Sequence, residues 1–366
     1  MDQNLRTLLH EQATNPDFAP VDLDAITRTG DRRVRRRRGV TVLGGLVALA
    51  VVAVVALWVA RPGDVGTIDP AGPYAEARVS WSEGSVIHYG DTVVDVGRPV
   101  EAFVHTDAGF VVVSGLGVWS VDGDRVTRVG TTVRKPGGVR LVADHDDGLA
   151  AWVEERDGGT TLAVLDQHTG ETTRIGAGVL QPAAVDGGTA YWITESGAMA
   201  GDLATGETRV VPAADRGTVL AAEDGVLVSN PGDPTGPFVS RPGQDDVPLV
   251  PDAGAGVAAL APDADWVAII GENRRPEVFD TRTGDRVPID VDAELGSAYG
   301  WLDADTVLVV AGGEQPSDTL EVLACAVPSG TCEPVTQIGT VADLNSDRLL
   351  PWGMPAYETV DAGTGD

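Results

Sequence analysis

The stretch LAPDADWVAIIGENRRPEVFDTRTGDRVPID, residues 260–290, contains both kinds of turn from which most of the chain is built. Its first turn, Asp263 to Asp265, precedes the apolar run WVAII. Its second, centred on Gly284, precedes the polar closing run RVPID. Short β-branched runs bounded by Gly and Asp predict strands rather than helices. Similar runs, FVVVSG, LAAWVEE, AYWIT, GVLVS and TVLVV, occur on both sides of it. The reading is all-β.

The closing-strand turn recurs with Gly90, Gly123, Gly170, Gly206, Gly243, Gly284 and Gly330, at spacings of 33, 47, 36, 37, 41 and 46 residues. Glycine suits these positions because hairpin turns commonly need positive φ. The turn before the apolar strand recurs at Asp107 to Gly109, Asp146 to Gly148, Asp186 to Gly188, Asp224 to Gly225, Asp263 to Asp265, Asp303 to Asp305 and Asn345 to Asp347. The two kinds alternate, but the series opens on a closing turn and ends on the other kind. One repeat is therefore split between the chain ends. A ring of four-stranded blades closes in this way and hides the edges that an open solenoid would expose. Residues 77–97 are expected to supply two outer strands of the shared blade, and 340–353 the two inner ones. The expected fold is a seven-bladed β-propeller over 77–353, with a tail at 354–366; six or eight blades and an open solenoid are the alternatives.

The run LAPDADWVAII is similar to the SPDG-then-strand repeat of TolB-like and WD40-like bacterial propellers. VLDQHTGETTRI, FDTRTGDRVPI and GWLDADTVLVV resemble actinobacterial exported or membrane-anchored members. The resemblance covers 77–353 and implies a propeller without specifying a ligand. Ala264 stands where the repeat usually has glycine, and no unit has the Gly-His and Trp-Asp pairs of eukaryotic WD40 repeats. The D-x-x-T-G runs are also similar to quinoprotein dehydrogenases, whose repeats continue to a Trp. Arg174 occupies that place in the first run, so no cofactor is expected.

Before the repeats, Gly39 to Ala60 form an uncharged run of 22 residues. At about 1.5 Å per residue it reaches the roughly 30 Å of a bilayer core. Arg32, Arg33, Arg35, Arg36, Arg37 and Arg38 stand just before it, and only Arg61 follows within 16 residues. The positive-inside rule then predicts a cytoplasmic lead at 1–38, a transmembrane helix at 39–60, a Pro/Gly linker at 61–76 and an extracellular repeat domain at the cell membrane. Trp58 falls near the outer interface. A cleaved signal peptide fits poorly, because the lead is long and Trp58 to Ala60 make a poor cleavage site. The lead VDLDAITRTGDRRVRRRRG resembles the juxtamembrane segment of small actinobacterial membrane proteins, some of them anti-sigma factors, but lacks the His and paired Cys of their zinc-containing domains.

Charge is uneven along the chain. The total is −29, and residues 1–60 carry eight Arg against six Asp or Glu, which leaves −31 for 61–366. Such a domain repels phosphates, so no nucleic-acid partner is expected. The two cysteines, Cys325 and Cys332, flank a hairpin turning about Pro328 and Ser329. Direct pairing there predicts a disulfide, which suits an oxidising compartment.

No motif pairs a nucleophile with a base, so no catalytic residue is assigned. The densest acidic turn, Asp144, Asp146 and Asp147, lacks the Gly and Glu spacing of an EF-hand, and the five histidines show no metal spacing, so no metal site is assigned. About one Trp per repeat reads as inter-blade packing rather than a ligand cage. The expected function is that of a tethered binding or scaffolding module for a protein, peptide or glycan on the outer side. An envelope-polymer hydrolase or lyase with a channel active site and a signalling protein in an anti-sigma-like pathway are the rival readings.

Overall fold

The computed structural model describes residues 74–133, 139–211, 217–231, 236–251, 255–271, 275–344 and 348–353, with backbone alone at 255, 256, 270 and 271. The chain divides into two compact units, Met1–Ile68 and Asp69–Asp366, and the described residues belong to the second. The arginine cluster, the run at 39–60 with Trp58, and the tail lie outside them. Among the described residues, no helix is long and apolar enough to cross a membrane.

The strands form seven four-stranded antiparallel sheets, so the fold is a seven-bladed β-propeller. Blade 2 comprises Ala102–Thr106, Gly109–Ser114, Gly117–Asp122 and Arg125–Thr131. Blade 3 runs from Val142–Asp144 to Thr172–Ile175, and blade 4 from Gln181–Asp186 to Thr208–Val210. Blade 5 spans Thr218–Glu223 to Val247–Pro248, and blade 6 spans Ala255–Leu260 to Arg286–Val287. Blade 7 spans Leu295–Asp303 to Cys332–Thr340. The first strand of each blade is the innermost. Successive antiparallel strands place the 1–2 and 3–4 turns on one face of the ring, and the 2–3 turns and blade connections on the other.

Blade 1 joins the chain ends, but with a different division from the expected two and two. Ser80–Glu83, Val86–Tyr89 and Thr92–Asp95 supply three strands, and Arg348–Leu349 alone supplies the inner one. The short pairing Ser82 to Leu349 and Glu83 to Arg348 makes the closure. The reason lies upstream: Cys332–Thr340 is paired as the outer strand of blade 7, and Val341–Leu344 makes one helical turn. Too little chain is left for two strands. The turn at Asn345 to Asp347 lies outside the described residues.

The core is divided among the blade interfaces. Among the described residues seven apolar clusters occur, one at each interface. Ring closure rests on Val79 and Leu350 of blade 1 packing with Tyr299, Leu308 and Val322 of blade 7. It rests equally on Ile87 and Tyr89 packing with Phe103 and Phe110 of blade 2. All seven turn glycines picked out by their spacing have positive φ, from 54° at Gly90 to 76° at Gly330. Three tryptophans fill interfaces as expected: Trp152, Trp192 and Trp301 are buried. Trp152 and Trp301 also donate Nε1–H to the preceding blade, at Thr131 O (3.0 Å) and Ala259 O (2.9 Å).

Candidate functional site

On the face of the 1–2 and 3–4 turns, several acidic turn residues join blades rather than stand free in solvent. Asp144 ends the inner strand of blade 3; its Oδ1 accepts from Asp146 N at 3.0 Å, and its Oδ2 accepts from Gly187 N of blade 4 at 2.9 Å. Asp186 does the same one blade on, accepting from Asp224 N and Gly225 N of blade 5 at 3.1 and 2.8 Å. A buried carboxylate needs such donors, and the exposed amides of the next turn supply them. These carboxylates act as inter-blade clamps.

The D-x-x-T-G runs are self-contained turns. In each, the Asp Oδ1 accepts from the amides two and three residues on, as in Asp166 with His168 and Thr169 at 2.8 and 3.1 Å. The same pattern occurs at Asp202 and Asp280. The Thr hydroxyl then accepts from the residue after the glycine, which explains the spacing.

Where blade 2 meets blade 3, this framework gathers three of the five histidines. His168 Nε2 lies 2.9 Å from Asp107 Oδ1, with the imidazole half-exposed and the carboxylate buried. Gly148 leaves room for the pair, since a Cβ there would come within 2.7 Å of the His168 ring. Asp107 N donates to His145 O at 2.8 Å. The His145 and His105 rings meet edge to face with centroids 4.5 Å apart, and His105 also packs on Tyr74, Tyr89 and Phe110. Burial, reinforced by the neighbouring His145, holds the His105 pKa well below its ordinary value, so this imidazole is neutral. Gln167 braces the arrangement across the blades, meeting Thr106 Oγ1 at 2.5 Å and donating to Phe110 O at 3.1 Å and Ser120 Oγ at 2.8 Å.

Asp107 assigns the His168 proton to Nε2, which leaves Nδ1 as an acceptor for a hydroxyl or ammonium donor. When His168 is protonated, Asp107 balances its charge. Spacing along the chain hid this site, because its residues come from the 1–2 turns of two blades and the 3–4 turn of one. Once the turns were placed on one face, the shared face was the available signal.

The other positions read from sequence are placed as follows. Cys325 and Cys332 form a disulfide between directly paired strand positions, with Cα atoms 4.0 Å apart. His88 stacks on Trp81 at 3.7 Å. Among the described residues, no group of three or more His, Cys, Asp or Glu is arranged to hold a metal ion. On the opposite face, a cavity of about 320 Å³ between blades 6 and 7 is lined by Arg275, Arg286, Ile289 and Val291. Arg286 is paired there with buried Glu277 at 3.0 Å.

The sheets and the histidine-bearing face define a seven-bladed propeller with an inter-blade imidazole–carboxylate pair. No protein-family model matches the chain. No curated protein matches it either. Among solved structures, it is similar to TolB from Acinetobacter baumannii at 14% identity and a TM-score of 0.42, over 74% of this chain and 66% of that one. It is similar to a puromycin-hydrolyzing peptidase of Mycobacterium tuberculosis at 18% and 0.47, over 72% of this chain but only 54% of the peptidase. Hsv2 of Kluyveromyces lactis gives 14% and 0.42, over 61% and 74%. The anticipated TolB-like resemblance is met at the level of fold, and the seven sheets themselves define the class.

Proposed function

We propose that this chain is a membrane-tethered, extracytoplasmic recognition module. Its propeller uses the face around His168 to bind a protein, peptide or glycan that presents hydroxyl or ammonium groups. The observation that carries the reading is the half-exposed His168 imidazole fixed by buried Asp107. A rigid acceptor of this kind loses little freedom on binding, which favours selective contact. The disulfide suits an oxidising exterior, and the apolar run after six arginines supplies the tether. The acidic charge of residues 61–366 favours basic partner groups over anionic polymers.

The test is site-specific photo-crosslinking of the full-length chain in its own membrane. A photoreactive residue at exposed position 171, beside the His168 turn, is expected to give a discrete adduct that weakens in D107N. The same residue at exposed position 116, in a 2–3 turn of the opposite face, is expected to give none. Equal adducts from both positions, or none from 171, would contradict the proposal.

A further inference from the structure

Arginines in this acidic domain commonly meet a carboxylate. Arg174 lies 2.6 Å from Glu154, Arg282 lies 2.6 Å from Asp265, and Arg348 lies 3.0 Å from Asp343. Arg140 differs. Among the described residues no carboxylate pairs with it, and its Nε is buried without a hydrogen-bond partner. Desolvation by burial is strong enough to lower its pKa, yet a guanidinium keeps its charge at neutral pH. A sheltered cation without a counter-charge is unfavourable for folding, so the fold alone does not account for it.

Its position limits what it can contact. Arg140 stands two residues before the inner strand Val142–Asp144 of blade 3, on the face opposite His168. Val139 and Leu141, on either side of it in sequence, are buried in the core shared by blades 2 and 3. Alternation turns Arg140 away from that core. The side chain is sheltered but not closed off, since the residue retains partial exposure. A cation that is deep, partly accessible and at the entrance of an innermost strand belongs to the mouth of the axial channel. Leu141 N donates to Gly353 O at 2.6 Å, which fixes this entrance against the segment after the inner strand of blade 1. In that segment Trp352 Nε1 is a second buried donor without a partner.

We propose that Arg140 is the anion-recognising residue of a second binding site at the channel mouth, which takes an oxyanion group, a carboxylate or a phosphate, of a ligand. A guanidinium presents paired N–H donors to either group. The domain's negative field repels anions elsewhere, so binding must come from a local cation. This site is separate from the His168 face, and its failure leaves the recognition reading untouched.

The experiment measures thermal unfolding of the full-length protein titrated with citrate or inorganic phosphate, against chloride at matched ionic strength. In wild type, one of the two oxyanions is expected to raise Tm progressively, by mass action on the folded state. Citrate alone would identify a carboxylate ligand, and phosphate alone a phosphate. R140M is expected to melt at or above wild type in chloride and to bind the active oxyanion at least about tenfold more weakly. R98Q, at an arginine stacked on Trp119 at 3.4 Å, is expected to respond as wild type. If R140M fails to fold, R140K replaces it: the charge remains, the paired donors are lost, and a weakened response is expected. No oxyanion response in wild type overturns the proposal, as do equal responses in wild type and the Arg140 variant. A lower Tm for R140M in chloride with an unchanged response makes Arg140 structural.

Discussion

A buried neutral imidazole links folding to pH at a single residue. The folded His105 pKa lies well below 6.5, its ordinary value, so the unfolded chain takes up a proton first as pH falls. Stability from this residue is intact above 6.5 and declines below it, until the folded pKa is passed. His88, lowered chiefly by desolvation, acts in the same direction. The measurement is urea unfolding between pH 7.5 and 5, and H105F is expected to flatten the decline; an equal slope in the variant would contradict the assignment. A second residue, Gly176, has φ of 75° and leaves 2.8 Å between an added Cβ and the buried Trp192 ring. Gly176→Ala is expected to lose about 2–4 kcal/mol in denaturant titration, from left-handed backbone together with overpacking; a loss under about 0.5 kcal/mol would show that Trp192 yields. Residues differed in how far sequence revealed them. Ala264 departs from the repeat's usual glycine, yet it keeps the turn with φ of 55°. Asp107 and His168 lie far apart in the chain, so their pairing was invisible until blades 2 and 3 were in place.

Elements were legible where local chemistry repeats and less so where the chain ends meet. Each closing turn carries its own glycine, which gave seven blades. The division of blade 1 depends on how far the outer strand of blade 7 extends, and nothing local marks that limit. Its single C-terminal strand is held by Arg348, which meets Glu83 at 3.3 Å and Asp343 at 3.0 Å, and lies over Trp81 at 5.3 Å. Arg348→Ala is expected to cost about 1–3 kcal/mol and to make the chain ends the first region to exchange amide hydrogens. Exchange starting in blade 4 instead would place the weak point elsewhere. In blade 7 the disulfide closes a short hairpin. Replacing both cysteines with serine is expected to lower stability by roughly 2–3 kcal/mol, whereas an unchanged denaturation midpoint would show that strand pairing holds the hairpin unaided.

At the scale of the whole molecule, seven apolar interfaces make a closed ring, and the recognition face and the Arg140 entrance lie on opposite sides of it. Composition foretold the ring's acidity but could not foretell this separation, which depends on strand direction within each blade. The proposed tether at Gly39 to Ala60 and the outward orientation rest on the arginine cluster and the redox chemistry of Cys325 and Cys332. The most direct measurement is protease protection of the full-length chain in sealed right-side-out and inside-out membrane vesicles. An outward ring on one apolar anchor predicts that external protease releases a compact ring fragment from right-side-out vesicles by cutting between residues 61 and 73, while the fragment stays protected in inside-out vesicles. The reverse pattern, or a chain that never sediments with the membranes, would contradict it.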